Sequence, residues 1–296
     1  MSAATDGQPL TIDPQAFADA MARRPCAVDH TLVGHPLLTL DAIADLADRF
    51  EGRVERHRAD LPVVMPGGAP ELDGPPSETV RGIESNGCWM VFWYLESVPE
   101  YKDLLDQCLD QVETYLPPEV GRAVRRECFL FLSAPNAVTP VHFDPEHNFL
   151  LQIKGRKDMH VTSFGSELEQ LGELERYFDG GDRNLGTMPA GDETFVLQPG
   201  NGVYVPSFWP HWVQNGPEAS ISLSITFRTR ESQRAERVHL FNAGLRRLKL
   251  SPRPPGTSMA GDRAKESAWL AVRAPMRAAR GARKALQKGG DATTSG

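Results

Sequence analysis

Cysteine is scarce and scattered. Cys26, Cys88, Cys108 and Cys128 show no C-x-x-C spacing, which argues against a zinc knuckle and against a disulfide framework. Long apolar runs are missing too: the longest, Cys88 to Leu95, is far too short to cross a bilayer, and no signal-peptide pattern opens the sequence. Nor is there a basic excess. A net charge of −7 and a pI near 5.7 speak against nucleic acid as the partner of the whole surface. No internal repeat is visible. What is present is ordinary for a globular enzyme: 296 residues, 40% hydrophobic and 24% charged, enough to bury one large core with a helical annex. The cytoplasm is the expected compartment.

Against that background one pattern carries chemistry. Thr139-Pro140-Val141-His142-Phe143-Asp144 is followed, 67 positions after Asp144, by His211 within Trp209-Pro210-His211-Trp212. Alternation along a strand points His142 and Asp144 to one face, so both reach one ion. His211 from a distant strand completes a triangular set. Two imidazoles and a carboxylate leave positions open on a metal, the arrangement of non-haem iron oxygenases. His-x-Asp alone is a weak signal, but its surroundings strengthen it. Asn148 to Ile153 reads as an apolar strand, Lys154-Gly155 as a turn, and Lys157 opens the next strand. Gln198-Pro199-Gly200 feeds a short apolar strand that ends at Pro206. From Ser220 to Arg228 the chain alternates strictly, with Ile221, Leu223, Ile225 and Phe227 on one face and Ser222, Ser224, Thr226 and Arg228 on the other. An all-β half with a polar interior face is what a small barrel with a site in its mouth requires.

Thr139–Lys157 and Gly200–Phe227 resemble the JmjC/cupin-like 2-oxoglutarate-dependent oxygenases, and within them the asparaginyl hydroxylases that act on hypoxia-inducible factor. The resemblance covers roughly residues 125–230. It implies a double-stranded β-helix (jelly-roll) barrel in an α+β chain with a mainly β core, and the use of Fe(II), 2-oxoglutarate and O2. By that likeness His142, Asp144 and His211 hold iron, Lys157 pairs with the distal carboxylate of 2-oxoglutarate, and Thr139 hydrogen-bonds the same group. Asn148 falls near the other end of the co-substrate. One position departs from the pattern: Thr226 stands where the asparaginyl hydroxylase carries asparagine. Hydroxylation of a protein or peptide side chain, or of a small metabolite, is the implied reaction.

The physical case for a buried cation stands beside the likeness. 2-Oxoglutarate is a dianion, and burying its far carboxylate unpaired would cost several kcal/mol. Lys157 and Arg228 compete for that role, since Arg228 shares the polar face of its strand and an arginine binds a carboxylate bidentately. Lys154 and Arg156 sit in the turn and are expected in solvent. His147 reads as a partly exposed structural histidine and His160 as pointing away from the site. Trp89, Phe92, Trp93 and Tyr94 read mainly as core, but alternation cannot bury all four on one face, so at least one is expected at the pocket mouth; Trp89 and Trp93 share a face, and Trp209 or Trp212 forms a wall.

Along the chain, residues 1–10 are expected to be disordered and 11–124 to form a helical and stranded part packing on the barrel. Residues 125–230 form the catalytic barrel, 231–250 an amphipathic helix and 251–296 a basic tail. Asp13-Pro14 and Thr39 start helices, 62–78 is a loop with five prolines and three glycines, and Gly87–Leu95 is a strand. A further helix runs from Tyr101 to Leu116. Arg234–Leu250 presents Val238, Phe241, Leu245 and Leu248 on one stripe, a face suited to a homodimer contact. Residues 263–288 hold eight Lys/Arg and the single acid Glu266, with Trp269, Val272 and Met276 on a helical stripe kinked at Pro275. Such a segment suits an acidic surface, either a partner's or this protein's own body. Two other functions fit the pattern: a metal-binding cupin that uses no 2-oxoglutarate, acting as isomerase, direct dioxygenase or ligand sensor, and a regulatory protein that works through its tail.

Overall fold

The alternation in Ser220–Arg228 decides how the chain is layered. All nine of its residues are buried, because both faces of the strand are covered. The computed structural model describes residues 7–118 and 120–273. Its strands in chain order are β1 Leu10–Thr11, β2 Cys26–His30, β3 Val54–Arg58, β4 Cys88–Phe92, β5 Val124–Ser133 and β6 Val138–His142. They continue with β7 His147–Lys154, β8 Lys157–Val161, β9 Glu193–Leu197, β10 Asn201–Val205, β11 His211–Asn215 and β12 Ser220–Arg228. The helices are α1 Pro14–Ala20, α2 Leu40–Arg49, α3 Pro76–Arg81, α4 Pro99–Glu113, α5 Glu167–Phe178 and α6 Arg230–Arg247.

Two antiparallel sheets result. One has the order β1-β2-β10-β7-β12-β5-β4-β3, the other β6-β11-β8-β9. The last eight strands divide four and four between them, which is the jelly-roll plan. The N-terminal strands extend the larger sheet at both edges. On its outer face Phe149, Leu151, Leu223, Ile225, Phe227, Leu130 and Leu132 pack with Phe17 of α1, Ile43 and Leu46 of α2, and Leu104, Leu105, Cys108, Leu109 and Val112 of α4. Each large side chain buried there contributes about 1.5–3 kcal/mol of transfer free energy. The inner face looks toward the small sheet, and Leu150, Val203 and Val205 meet Met159, Val161, Leu197 and Val213 between them. The polar residues of β12 also face inward: Ser222 donates to Gln152 Oε1 at 2.7 Å and Ser224 to Asn148 Oδ1 at 2.8 Å.

Local chemistry explains the helix starts. Asp13 Oδ1 accepts from the amides of Gln15 and Ala16, both at 3.0 Å, and Thr39 Oγ1 accepts from Ala42 N at 3.2 Å. The strand expected over Gly87–Leu95 is shorter, because Tyr94 turns left-handed (φ 61) and Leu95–Ser97 forms a 3-10 turn. Residues 1–6 lie outside the described residues, while Leu10 already pairs with His30. Gly155 makes the β7–β8 turn at φ +70, where a Cβ would lie 2.6 Å from the carbonyl oxygen of Ala219. Gly155→Ala is therefore expected to cost about 2–3 kcal/mol, a fall of roughly 5–10 °C in Tm that a thermal melt would register.

Among the described residues, 174–180 and 231–273 form a second compact unit. Within it α6 buries Val238, as expected, together with His239, Asn242 and Ala243; Phe241 and Leu245 of the expected stripe are only half-buried and Leu248 is 72% exposed. Polar partners decide the face. His239 stacks on Phe178 with ring centroids 4.8 Å apart, and Asn242 donates to Arg253 O at 2.9 Å. Residues 259–273 are helical, and Glu266 of that segment pairs with Arg234 and Arg237. Pro275, Met276 and the rest of the tail lie outside the described residues. Among the described residues no helix is long and apolar enough to cross a membrane.

Candidate metal centre

His142 ends β6 and His211 begins β11, and the two are paired in register. Two residues further along β11, Val213 pairs with Thr139, three residues back along β6. The extra residue is a β-bulge, and it turns both Thr139 and His142 to the interior face that Val213 and His211 occupy. Asp144 lies just beyond the end of β6, in the turn before β7, so strand alternation alone does not aim it. Its backbone carbonyl accepts from Phe208 N at 2.7 Å, which ties the turn to the segment leading into His211.

The three side chains converge: ligand atoms of His142, Asp144 and His211 all lie within 4.8 Å of one another. Asp144 Oδ2 is 3.9 Å from His142 Nε2 and 3.5 Å from His211 Nε2. Each ring is oriented by its own chain. His142 Nδ1 bonds Pro140 O at 2.8 Å and His211 Nδ1 bonds Trp209 O at 2.9 Å. A carbonyl only accepts, so in the neutral ring the proton sits on Nδ1 and Nε2 presents a lone pair toward the carboxylate. Burial, reinforced by the neighbouring His211, pushes the His142 pKa down to about 3, which keeps that ring neutral at physiological pH. Burial works against ionising Asp144, yet Arg183 and the two imidazoles hold its carboxyl well below the usual range. A buried carboxylate with two bare imidazole nitrogens is a donor set for a divalent transition metal.

Lys157 opens β8 on the same interior face, opposite Asn215 of β11. It is 3% exposed, and among the described residues no acidic side chain pairs with it. Burial pushes its pKa down to about 7. Arg228, the competing cation, is engaged by Glu146. Burial pushes Glu146 up to about 7 even beside that arginine, with Asp144 and Glu127 adding to the rise. Asn148 accepts from Ser224, and Thr226 Oγ1 bonds Glu127 O at 3.4 Å.

Other residues fall elsewhere. His147 is fully inside rather than partly exposed: it pairs with Tyr204 Oη at 2.9 Å and stacks on Phe227, on the helix-covered face away from the site. His160 stacks on Trp212 at 3.8 Å and bonds Asp192 on the outer side of the small sheet. Trp209 packs with the interior cluster. Lys154 and Arg156 form surface pairs with Glu84 and Asp158. Sequence reasoning missed Arg183, which bonds Asp144 Oδ1 and lies 5.4 Å over the ring of Trp93. It missed Glu146 as well, although an acid two residues after Asp144 was a visible signal.

Residues 105–235 match the family model described as the JmjC domain. Over that stretch this chain is similar to a JmjC domain. The Jumonji C domain-containing protein 5 of Drosophila melanogaster is 27% identical over 104 residues, which is 31% of this chain and 26% of that protein, so the shared stretch spans about a quarter of the fly protein. Among solved structures, Escherichia coli YcfD matches with a TM-score of 0.55 at 17% identity, over 90% of this chain and 68% of that one. A YcfD structure described as a ribosomal oxygenase in complex with cobalt and 2-oxoglutarate matches with a TM-score of 0.51 at the same identity and coverage. At such identity the likeness establishes the fold: the two sheets of the JmjC domain are a JmjC/cupin architecture extended by N-terminal strands and helices.

Proposed function

We propose that this protein is an Fe(II)- and 2-oxoglutarate-dependent oxygenase that hydroxylates a protein or peptide side chain. One observation carries the reading: a His–His–carboxylate donor set shares an interior face with a buried lysine that, among the described residues, no acidic side chain neutralises. The donors suit a divalent iron, and the lysine suits an anion. Lys157 sits opposite Asn215, four residues beyond His211 on β11, roughly 13 Å along the sheet. A lysine side chain and a five-carbon diacid together bridge that span, with Thr139 at the register between them.

In this reading His142 and His211 offer Nε2, and Asp144 supplies the anionic ligand. Fe(II) bound there would supply the oxygen chemistry that no side chain provides. Lys157 meets the distal carboxylate of 2-oxoglutarate and the Thr139 hydroxyl hydrogen-bonds it. Asn148 and Thr226 belong to the polar floor, while Arg228 is spent on Glu146. Trp209, Val205 and Val213 keep water out. A metal-binding cupin without 2-oxoglutarate would leave Lys157 buried with nothing to compensate it. The ribosomal oxygenase description of YcfD supports a protein substrate here.

The test is succinate formation from 2-oxoglutarate by protein loaded anaerobically with Fe(II) and then exposed to air, with Asp144→Ala beside it. Slow turnover without substrate is expected from the wild type alone, and added ribosomal protein should speed it and gain one oxygen atom. No turnover, together with no 2-oxoglutarate binding in the presence of Mn(II), would sink the reading.

A further inference from the structure

We infer that Arg183 is a positioning residue that reserves one oxygen of Asp144 for the metal and thereby keeps a coordination position open. The inference rests on the metal centre proposed above. The two oxygens of Asp144 are in different surroundings. Oδ2 faces both imidazole Nε2 atoms, at 3.9 and 3.5 Å, whereas Oδ1 is bonded by Arg183 Nη1. A carboxylate held through one oxygen takes one position on an octahedral ion; held through both it takes two. With two imidazoles already bound and a chelating keto acid to follow, the second mode would leave no place for oxygen. A charge-assisted hydrogen bond to Oδ1 opposes that mode.

The guanidinium is itself well anchored. Arg183 O accepts from Phe143 N at 3.3 Å, and Leu185 N donates to Val141 O at 3.0 Å, so residues 183–185 run along β6 as an added edge. Asn184 N donates to Asp182 Oδ1 at 2.8 Å and its Nδ2 donates to Gly67 O at 2.7 Å. The guanidinium carbon lies 5.4 Å over the ring of Trp93, and a cation so placed gains from the ring's negative face. A positive charge beside a dication weakens metal binding by simple repulsion, so affinity is a poor reason for this contact. Control of the carboxylate's geometry is the better one.

The experiment compares full-length wild type, Arg183→Lys and Arg183→Met, each loaded with Mn(II). Exchangeable waters on Mn(II) are counted by water-proton relaxation, and 2-oxoglutarate affinity is measured at saturating Mn(II). Wild type and the lysine variant should share one hydration number. Arg183→Met should hold one water fewer and bind 2-oxoglutarate about 10-fold or more weakly, the scale of losing a partner to a metal ligand. Wild-type hydration and wild-type 2-oxoglutarate affinity in Arg183→Met would overturn the role of Arg183 and leave the metal centre standing. Failure of the wild type to bind Mn(II) would overturn the metal centre itself, and this inference with it. Should Arg183→Met not fold, as a melt would reveal, Arg183→Gln is too short and uncharged and makes the same test.

Discussion

Asp144→Ala is expected to lower affinity for Mn(II) or Fe(II) by more than about 100-fold, since even the outer partners of metal ligands are worth 10–100-fold. It should do so with little change in fold. The backbone carbonyl of residue 144 still accepts from Phe208 N, and both imidazoles keep their bonds to Pro140 and Trp209. Arg183 loses its anion, but its side chain is 34% exposed and water can take over. Stability should therefore shift by no more than about 1 kcal/mol. A metal titration beside a thermal melt reads both numbers. Retention of the metal would remove Asp144 from the site.

Lys157→Met should produce two effects of opposite sign. The wild-type lysine has a folded pKa near 7, against about 10.4 in an unfolded chain. Because the unfolded chain holds the proton more tightly, stability rises with pH between those two values, and the full penalty, on the order of several kcal/mol, is present below pH 7. Methionine fills similar space without the charge, so the variant should melt higher than wild type, with the largest gain at pH 7 and below. Its 2-oxoglutarate binding should fall by about 100-fold or more, the usual cost of truncating one partner of a buried charge pair. In the wild type at saturating Mn(II), 2-oxoglutarate affinity should drop up to about tenfold per pH unit above 7, because the neutral amine must first take up a proton. In Lys157→Met that slope should vanish. A variant that melts lower, or a wild-type affinity flat from pH 7 to 9, would contradict this account.

The parts of the molecule legible in the sequence are those set by short-range rules. Strict alternation in Ser220–Arg228 sorted the helix-facing side chains from the interior ones, and Asp13 and Thr39 marked helix starts because a cap acts over three residues. His142, Asp144 and His211 meet as the motif implied, although Asp144 is placed by a turn and a backbone bond to Phe208 rather than by strand alternation. What separates the surroundings of Lys157 and Arg228 was not legible: Glu146 engages the arginine across 82 positions of sequence. Arg183 was invisible for the same reason: it comes from the long segment between β8 and β9 and reaches Asp144 only after residues 183–185 line up along β6. The face that α6 buries also escaped, since stacking of His239 on Phe178 makes a polar position an inner one.

The way the two imidazoles are held has a practical consequence. Each ring is locked to the carbonyl two residues before it, so its orientation is written into the backbone and owes nothing to an ion. A chelator should then strip the protein without unfolding it, and refilling should need no refolding step. The same rigidity gives the pocket little power to refuse a neighbouring first-row metal, whose affinities for such donors follow the general order of the series. Under the proposed function, whatever ion accompanies the protein out of a cell will report what that cell had to spare, and activity per molecule is expected to track the iron content of the preparation.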